Sequence, residues 1–140
     1  MLFRSPEDHA RFLRIDEAVE NLRTAYVVKD GDALKALLLP FEPLERLSLD
    51  IRNDFKTFQT IDVEFTIDRI MIDGDEIDVY LHWQGFWKRA PEDVGIRERG
   101  HGVLRWTGKQ SILLKEVQGD LPFGMATRIL LSQAGPTVLH

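Results

Sequence analysis

The chain has 140 residues, 44% of them hydrophobic and 29% charged, with a net charge of −5 and no cysteine. That length suits one domain with a core large enough to fold without a metal, and the absent thiols exclude disulfides, cysteine nucleophiles and thiolate metal sites. The acidic excess opposes binding to a nucleic-acid backbone or an anionic membrane surface.

The helical signals come first. Ser5-Pro6-Glu7-Asp8 reads as a helix start, with a capping serine, a proline in the first turn and acids at the positive end of the dipole. Phe12, Ile15, Val19, Leu22 and Tyr26 follow in steps of three and four, one face of a helix. Lys29-Asp30-Gly31-Asp32 ends that helix and opens a shorter one that buries Ala33, Leu34, Leu37 and Leu38 and stops at Pro40. A third helix is predicted from about Pro43 to Phe58, with Leu44, Leu47, Ile51 and Phe55 as its stripe.

The period then changes to alternation. Ile61, Val63, Phe65 and Ile67 alternate with Asp62, Glu64, Thr66 and Asp68, a strand with one buried and one wet face. Asp73-Gly74-Asp75 turns the chain into a second strand, in which Ile77, Val79, Leu81, Trp83, Gly85 and Trp87 alternate with Asp78, Tyr80, His82, Gln84, Phe86 and Lys88. A polar loop leads to a third strand from about Ile96 to Thr107, and a fourth runs roughly from Gln110 to Val117. These elements predict an α+β fold, three N-terminal helices packed on the concave face of a curved four-stranded antiparallel sheet, within one cone-like domain spanning 1–124. Residues 125–140 read as a C-terminal tail that starts as a short helix and frays after Gly135-Pro136.

Facing Leu81 with Leu104 sets an expected register in which Trp83 meets Gly102, Gly85 meets Gly100, Trp87 meets Glu98 and Val79 meets Trp106. Three glycines then gather beside two tryptophans on the inner face. Glycine inside a strand marks a bend or a close approach, so the sheet is expected to curve sharply with indole rings over the glycines.

Aromatic walls suit flat or apolar ligands. Tyr26, Trp83, Trp87 and Trp106 are therefore candidate pocket residues, although an aromatic stripe is more often plain core. Glu98 falls on the inner face by parity, as does Arg69 if the first strand alternates to its end. A buried carboxylate there is a candidate general acid or base, and the competing reading places both residues at a solvated rim. His82 and His101 titrate near neutrality, but alternation puts them on the outer face with Tyr80, Phe86 and Arg99, a candidate interface. No histidine pair has metal-ligand spacing, no phosphate loop or nucleophile elbow occurs, and no cofactor or metal is implied.

Order and local motifs give the chain a resemblance to the nuclear transport factor 2-like superfamily, the cystatin-like cone fold. Ala25 to Leu37 is similar to the family's first-helix end and second-helix start, Ile72 to Val79 to its hairpin, and Gly100 to Trp106 to the strand that follows. The resemblance covers nearly the whole chain to about Gly124. It implies a fold and a pocket and little about chemistry, because the family spans ketosteroid isomerases, dehydratases, polyketide cyclases and transport adaptors. Where many family enzymes carry an acid after the second helix this chain has Leu38-Leu39-Pro40-Phe41, a departure that counts against an isomerase-like enzyme.

Three functions stay open. The first is non-catalytic binding of a small apolar or aromatic ligand in the cone. The second is an isomerase, dehydratase or cyclase type of enzyme with Glu98 shuttling a proton beside Tyr26. The third is an interaction module, a homodimer formed through the outer sheet face. The N-terminus holds no apolar run long enough to span or insert into a membrane, so the sequence as given reads as cytoplasmic, or as periplasmic or exported if a leader has been removed.

Overall fold

The computed structural model describes the backbone of residues 6–138 and the side chains of residues 8–132. The predicted cap Ser5 lies outside the described residues. Helix α1 runs Pro6–Val27, α2 Gly31–Ala36 and α3 Glu45–Thr57, the last preceded by a single 3-10 turn at Glu42–Leu44. Strands β1 Thr60–Asp73, β2 Glu76–Lys88, β3 Ile96–Thr107 and β4 Leu113–Gly119 follow, then helix α4 Met125–Val138. The chain from Met125 is thus helical through Gly135 and Pro136, where the sequence suggests fraying.

Local chemistry accounts for the helix boundaries. Asp30 caps α2 by accepting a hydrogen bond from the Ala33 amide at 3.0 Å. The α1 stripe is buried at Ile15, Val19, Leu22 and Tyr26, and that of α3 at Ile51. In α2 only Leu34 is buried, while Ala33 is exposed.

The four strands pair antiparallel in the order β1-β2-β3-β4 and leave an open, curved sheet with the helices on its concave side. Gly74 takes the positive φ of 62° that the two-residue β1–β2 turn requires. Ile61, Val63, Ile77, Val79, Leu81, Trp83, Trp87, Leu104 and Trp106 are buried on the inner face, as alternation predicts.

Three expectations are corrected. First, the β2–β3 register differs by two residues: Leu81 lies opposite Gly102, Trp83 opposite Gly100, Gly85 opposite Glu98 and Trp87 opposite Ile96. A two-residue slip keeps every side chain on its face, so alternation does not distinguish the two registers. Particular side-chain contacts accompany the observed register. Leu121 packs so close to Gly102 that an added Cβ would meet its Cδ2 at 2.5 Å. Arg105, opposite Asp78, bonds it at 2.8 Å. Second, the β1 register shifts between Ile67 and Arg69, leaving Asp68 bulged. The extra residue turns Arg69 to the outer face, where its guanidinium lies 4.3 Å from the centre of the Tyr80 ring. Third, β4 begins at Leu113, three residues later than expected, because Gly108, at a φ of 118°, opens a longer turn.

Candidate functional site

The inner face converges on a buried polar chain. Trp87 Nε1 donates to the Tyr26 hydroxyl at 3.0 Å, and that hydroxyl donates to Asp54 Oδ2 at 2.6 Å. Asp54 is fully buried. It also accepts from three successive amides at the start of α4: Gly124 at 2.8 Å, Met125 at 3.3 Å and Ala126 at 2.8 Å. Burial pushes the Asp54 carboxyl above its ordinary range, although the Tyr26 hydroxyl and the three amides all pull it down. Burial and the neighbouring Asp54 charge hold the Tyr26 phenol well above its ordinary range, so it stays a donor at neutral pH.

A general base needs a free lone pair within reach of a substrate proton. Four donors surround the Asp54 carboxylate, and its charge sits at the positive end of α4. The arrangement therefore staples α4 to α3 and α1, with Trp87 of β2 behind. Asp54 had a signal in the sequence: it stands three residues after Ile51 and four before Phe58, on the apolar side of α3. An acid inside such a stripe marks a satisfied buried group, and the stripe read as Leu44, Leu47, Ile51 and Phe55 passes over it.

The other candidate pocket residues fill the cone. Trp83, Trp87 and Trp106 are buried. Trp83 and Trp87 meet edge to face at 6.0 Å, and Tyr26 and Phe123 do so at 4.9 Å. The indoles lie over the glycines as expected: a Cβ on Gly85 would meet Trp87 Cη2 at 2.5 Å, and one on Gly100 would meet Trp83 Cζ2 at 3.0 Å. Trp83 Nε1 donates to the Asp120 carbonyl at 2.8 Å. The Trp106 indole N–H is buried and has no acceptor among the described residues.

Glu98 is exposed at the rim. It lines a hollow of about 390 Å³ with Ile96, Met125, Arg128, Ile129 and Ser132 of the sheet end and α4. The structure brings it to neither Tyr26, whose hydroxyl goes to Asp54, nor Arg69, which lies on the opposite face.

The outer face assembles the remaining candidates. His82 Nδ1 lies 2.7 Å from Asp68 Oδ1, and the His82 and His101 rings, opposite each other in the register, are 5.9 Å apart. The Arg97 guanidinium lies 4.3 Å from the centre of the Phe86 ring. Arg105 bonds Asp78 and Glu116, each at 2.8 Å. A hollow of about 570 Å³ opens here, bounded by Asp62 and Glu64 on β1, Phe86 and Gln84 on β2, and Arg97 and Arg99 on β3. Among the described residues no cluster has the makings of a metal site, and no helix is long and apolar enough to cross a membrane.

No family model and no curated relative matches the sequence. Solved structures do match its backbone. A conserved protein from Planctomyces limnophilus is 16% identical with a TM-score of 0.67, covering 80% of this chain and 99% of its own. A nuclear transport factor 2-like superfamily protein from Salmonella enterica is 16% identical with a TM-score of 0.63, covering 79% and 89%. A proposed dehydratase of that family from Streptomyces avermitilis is 11% identical with a TM-score of 0.67, covering 81% and 99%. Helices laid against a curved, open four-stranded antiparallel sheet, matched by these structures over most of their length, give the chain the nuclear transport factor 2-like fold.

Proposed function

We propose that this domain is a non-catalytic interaction module that works through the outer face of its sheet and pairs there with a second copy of itself. The observation that carries this reading is the sorting of charge at one end of that face: Asp62 and Glu64 stand on β1, Arg97 and Arg99 on β3, and Phe86 lies between them on β2. Tyr80, His82 and His101 extend the same surface. The interior supports no catalytic alternative of comparable strength, because Asp54 is fully buried with four donors on its carboxylate and Glu98 stands apart from Tyr26. Light scattering over a concentration series tests the reading, with Phe86→Glu as the disrupting variant. A chain that stays monomeric at millimolar concentration rejects it.

A second reading, binding of a small apolar or aromatic molecule inside the cone, draws support from the wall of Tyr26, Trp83, Trp87 and Trp106. Packed rings fill that space, so a ligand has to displace buried side chains to enter. Native mass spectrometry of freshly purified protein tests it, and a chain that carries no bound molecule and shows no tryptophan fluorescence change with flat apolar probes rejects it.

A further inference from the structure

Resting on the reading of the outer face as a self-pairing surface, we infer that the middle of that face is a shared metal site, in which His82 and His101 of two copies hold one divalent transition-metal ion of the zinc class. β2 and β3 are the two inner strands of the sheet. His82 is the seventh of the thirteen residues of β2, and His101 is the sixth of the twelve of β3. The register sets them directly opposite each other, both exposed, with their rings 5.9 Å apart. Two imidazoles on one tetrahedral zinc, each nitrogen ~2.0–2.1 Å from the ion, have ring centres roughly 5 Å apart, so a small side-chain rotation brings this pair to that geometry. Asp68 completes the group, with its Oδ1 2.7 Å from His82 Nδ1. A carboxylate on one ring nitrogen fixes the tautomer and leaves Nε2 as the metal donor, the arrangement that orients ligating histidines.

One chain supplies only half of the site. Two imidazoles are half of a tetrahedral set, and no group of three or more metal-binding side chains among the described residues makes a site on its own. A second copy supplies the rest. A two-fold axis passes through the middle of the patch it relates, so residues at the middle meet their counterparts. With the axis along the strands, His82 faces the partner's His101. With the axis across them, each histidine faces its own copy. Both arrangements gather four imidazoles. Packed sheets lie ~10 Å apart, and an imidazole nitrogen reaches roughly half of that from its strand, so the four can meet at one ion. The charge balances as well: two Asp68 carboxylates offset the dication, while the neighbouring Arg69 is turned onto the Tyr80 ring. Imidazole donors suit zinc, copper and nickel, whereas calcium and magnesium take oxygen ligands.

Zinc chloride is the probe, added to the full chain at neutral pH, with pairing followed by light scattering over a concentration series. Zinc is expected to tighten pairing at least tenfold, EDTA to reverse the effect, and equilibrium dialysis to give one zinc per two chains. His82→Ala and His101→Ala are each expected to abolish the zinc response, read as the ratio of pairing with and without zinc in the same variant. Asp68→Asn is expected to weaken zinc binding roughly 10–100-fold, as loss of an orienting partner does. Replacing His9 and His140, the other two of the chain's four histidines, is expected to leave the response unchanged. Pairing that is indifferent to zinc, zinc bound at one ion per chain, or a response that survives His101→Ala overturns the metal site and leaves the interface in place. A wild-type chain that stays monomeric with and without zinc overturns the self-pairing reading and the site with it.

Discussion

The Tyr26 hydroxyl and the Asp54 carboxylate meet at 2.6 Å in a fully buried site, and through Asp54 the same contact reaches the first three amides around the start of α4. One carboxylate thus joins three helices, and Trp87 ties them to the sheet. Each partner leaves an unsatisfied polar group if the other is removed, which makes the site costly to break.

Replacing Asp54 with alanine strands three amides and a phenol in the core. A loss of about 2–4 kcal/mol is expected, read as a lower urea midpoint, with α4 exchanging its amide hydrogens faster than the sheet does. Equal exchange of α4 in the variant and the wild type would show that the helix is held elsewhere.

The pH dependence of this group has a definite sign. Burial raises the native carboxyl above its unfolded value, so between those values the native state holds more protons than the unfolded state. The contribution of Asp54 to stability therefore falls as pH rises from the ordinary carboxylate range through the raised native value. Urea titrations of wild type and Asp54→Asn across that window are expected to show the wild-type advantage shrinking with pH. An advantage that grows would mean that the four donors outweigh burial.

Tyr26→Phe keeps the ring against Phe123 but removes the acceptor of Trp87 and a donor to Asp54. The expected cost is about 1–3 kcal/mol, with a tryptophan emission shift as Trp87 loses its partner. An unshifted spectrum and unchanged stability would show that the hydroxyl is dispensable.

The inner-face glycines answer to side chains rather than to backbone angles. Gly85→Ala drives a methyl into Trp87 and Gly102→Ala drives one into Leu121, and each is expected to cost about 1–3 kcal/mol. Gly31→Ala, with open space around it in α2, is expected to be neutral within about 0.5 kcal/mol or stabilising. Thermal melts of the three variants check the ranking.

Much of this was legible from residue order. The stripe from Ile15 to Tyr26 and the alternation from Ile61 to Trp87 assign elements and faces, because helices and strands repeat at 3.6 and 2.0 residues whatever they pack against. Tyr80, His82, Phe86, Arg99 and His101 reach the outer face for the same reason. Arg69 escapes this logic at a bulge, where one extra residue inverts parity. Asp54 escapes it because an acid on an apolar stripe needs partners that lie about 70 residues ahead in the chain.

The sequence by itself determined which residues turn inward and where the glycines and tryptophans gather. Only the tertiary structure decided the β2–β3 register, the side taken by Arg69, and the fate of the cone, in which Leu121 and the indoles occupy the room the glycines leave. Alternation is blind to a slip of two residues and to what arrives from the far end of the chain. Close packing of Leu121 on Gly102 and the bonding of α4 to Asp54 are not.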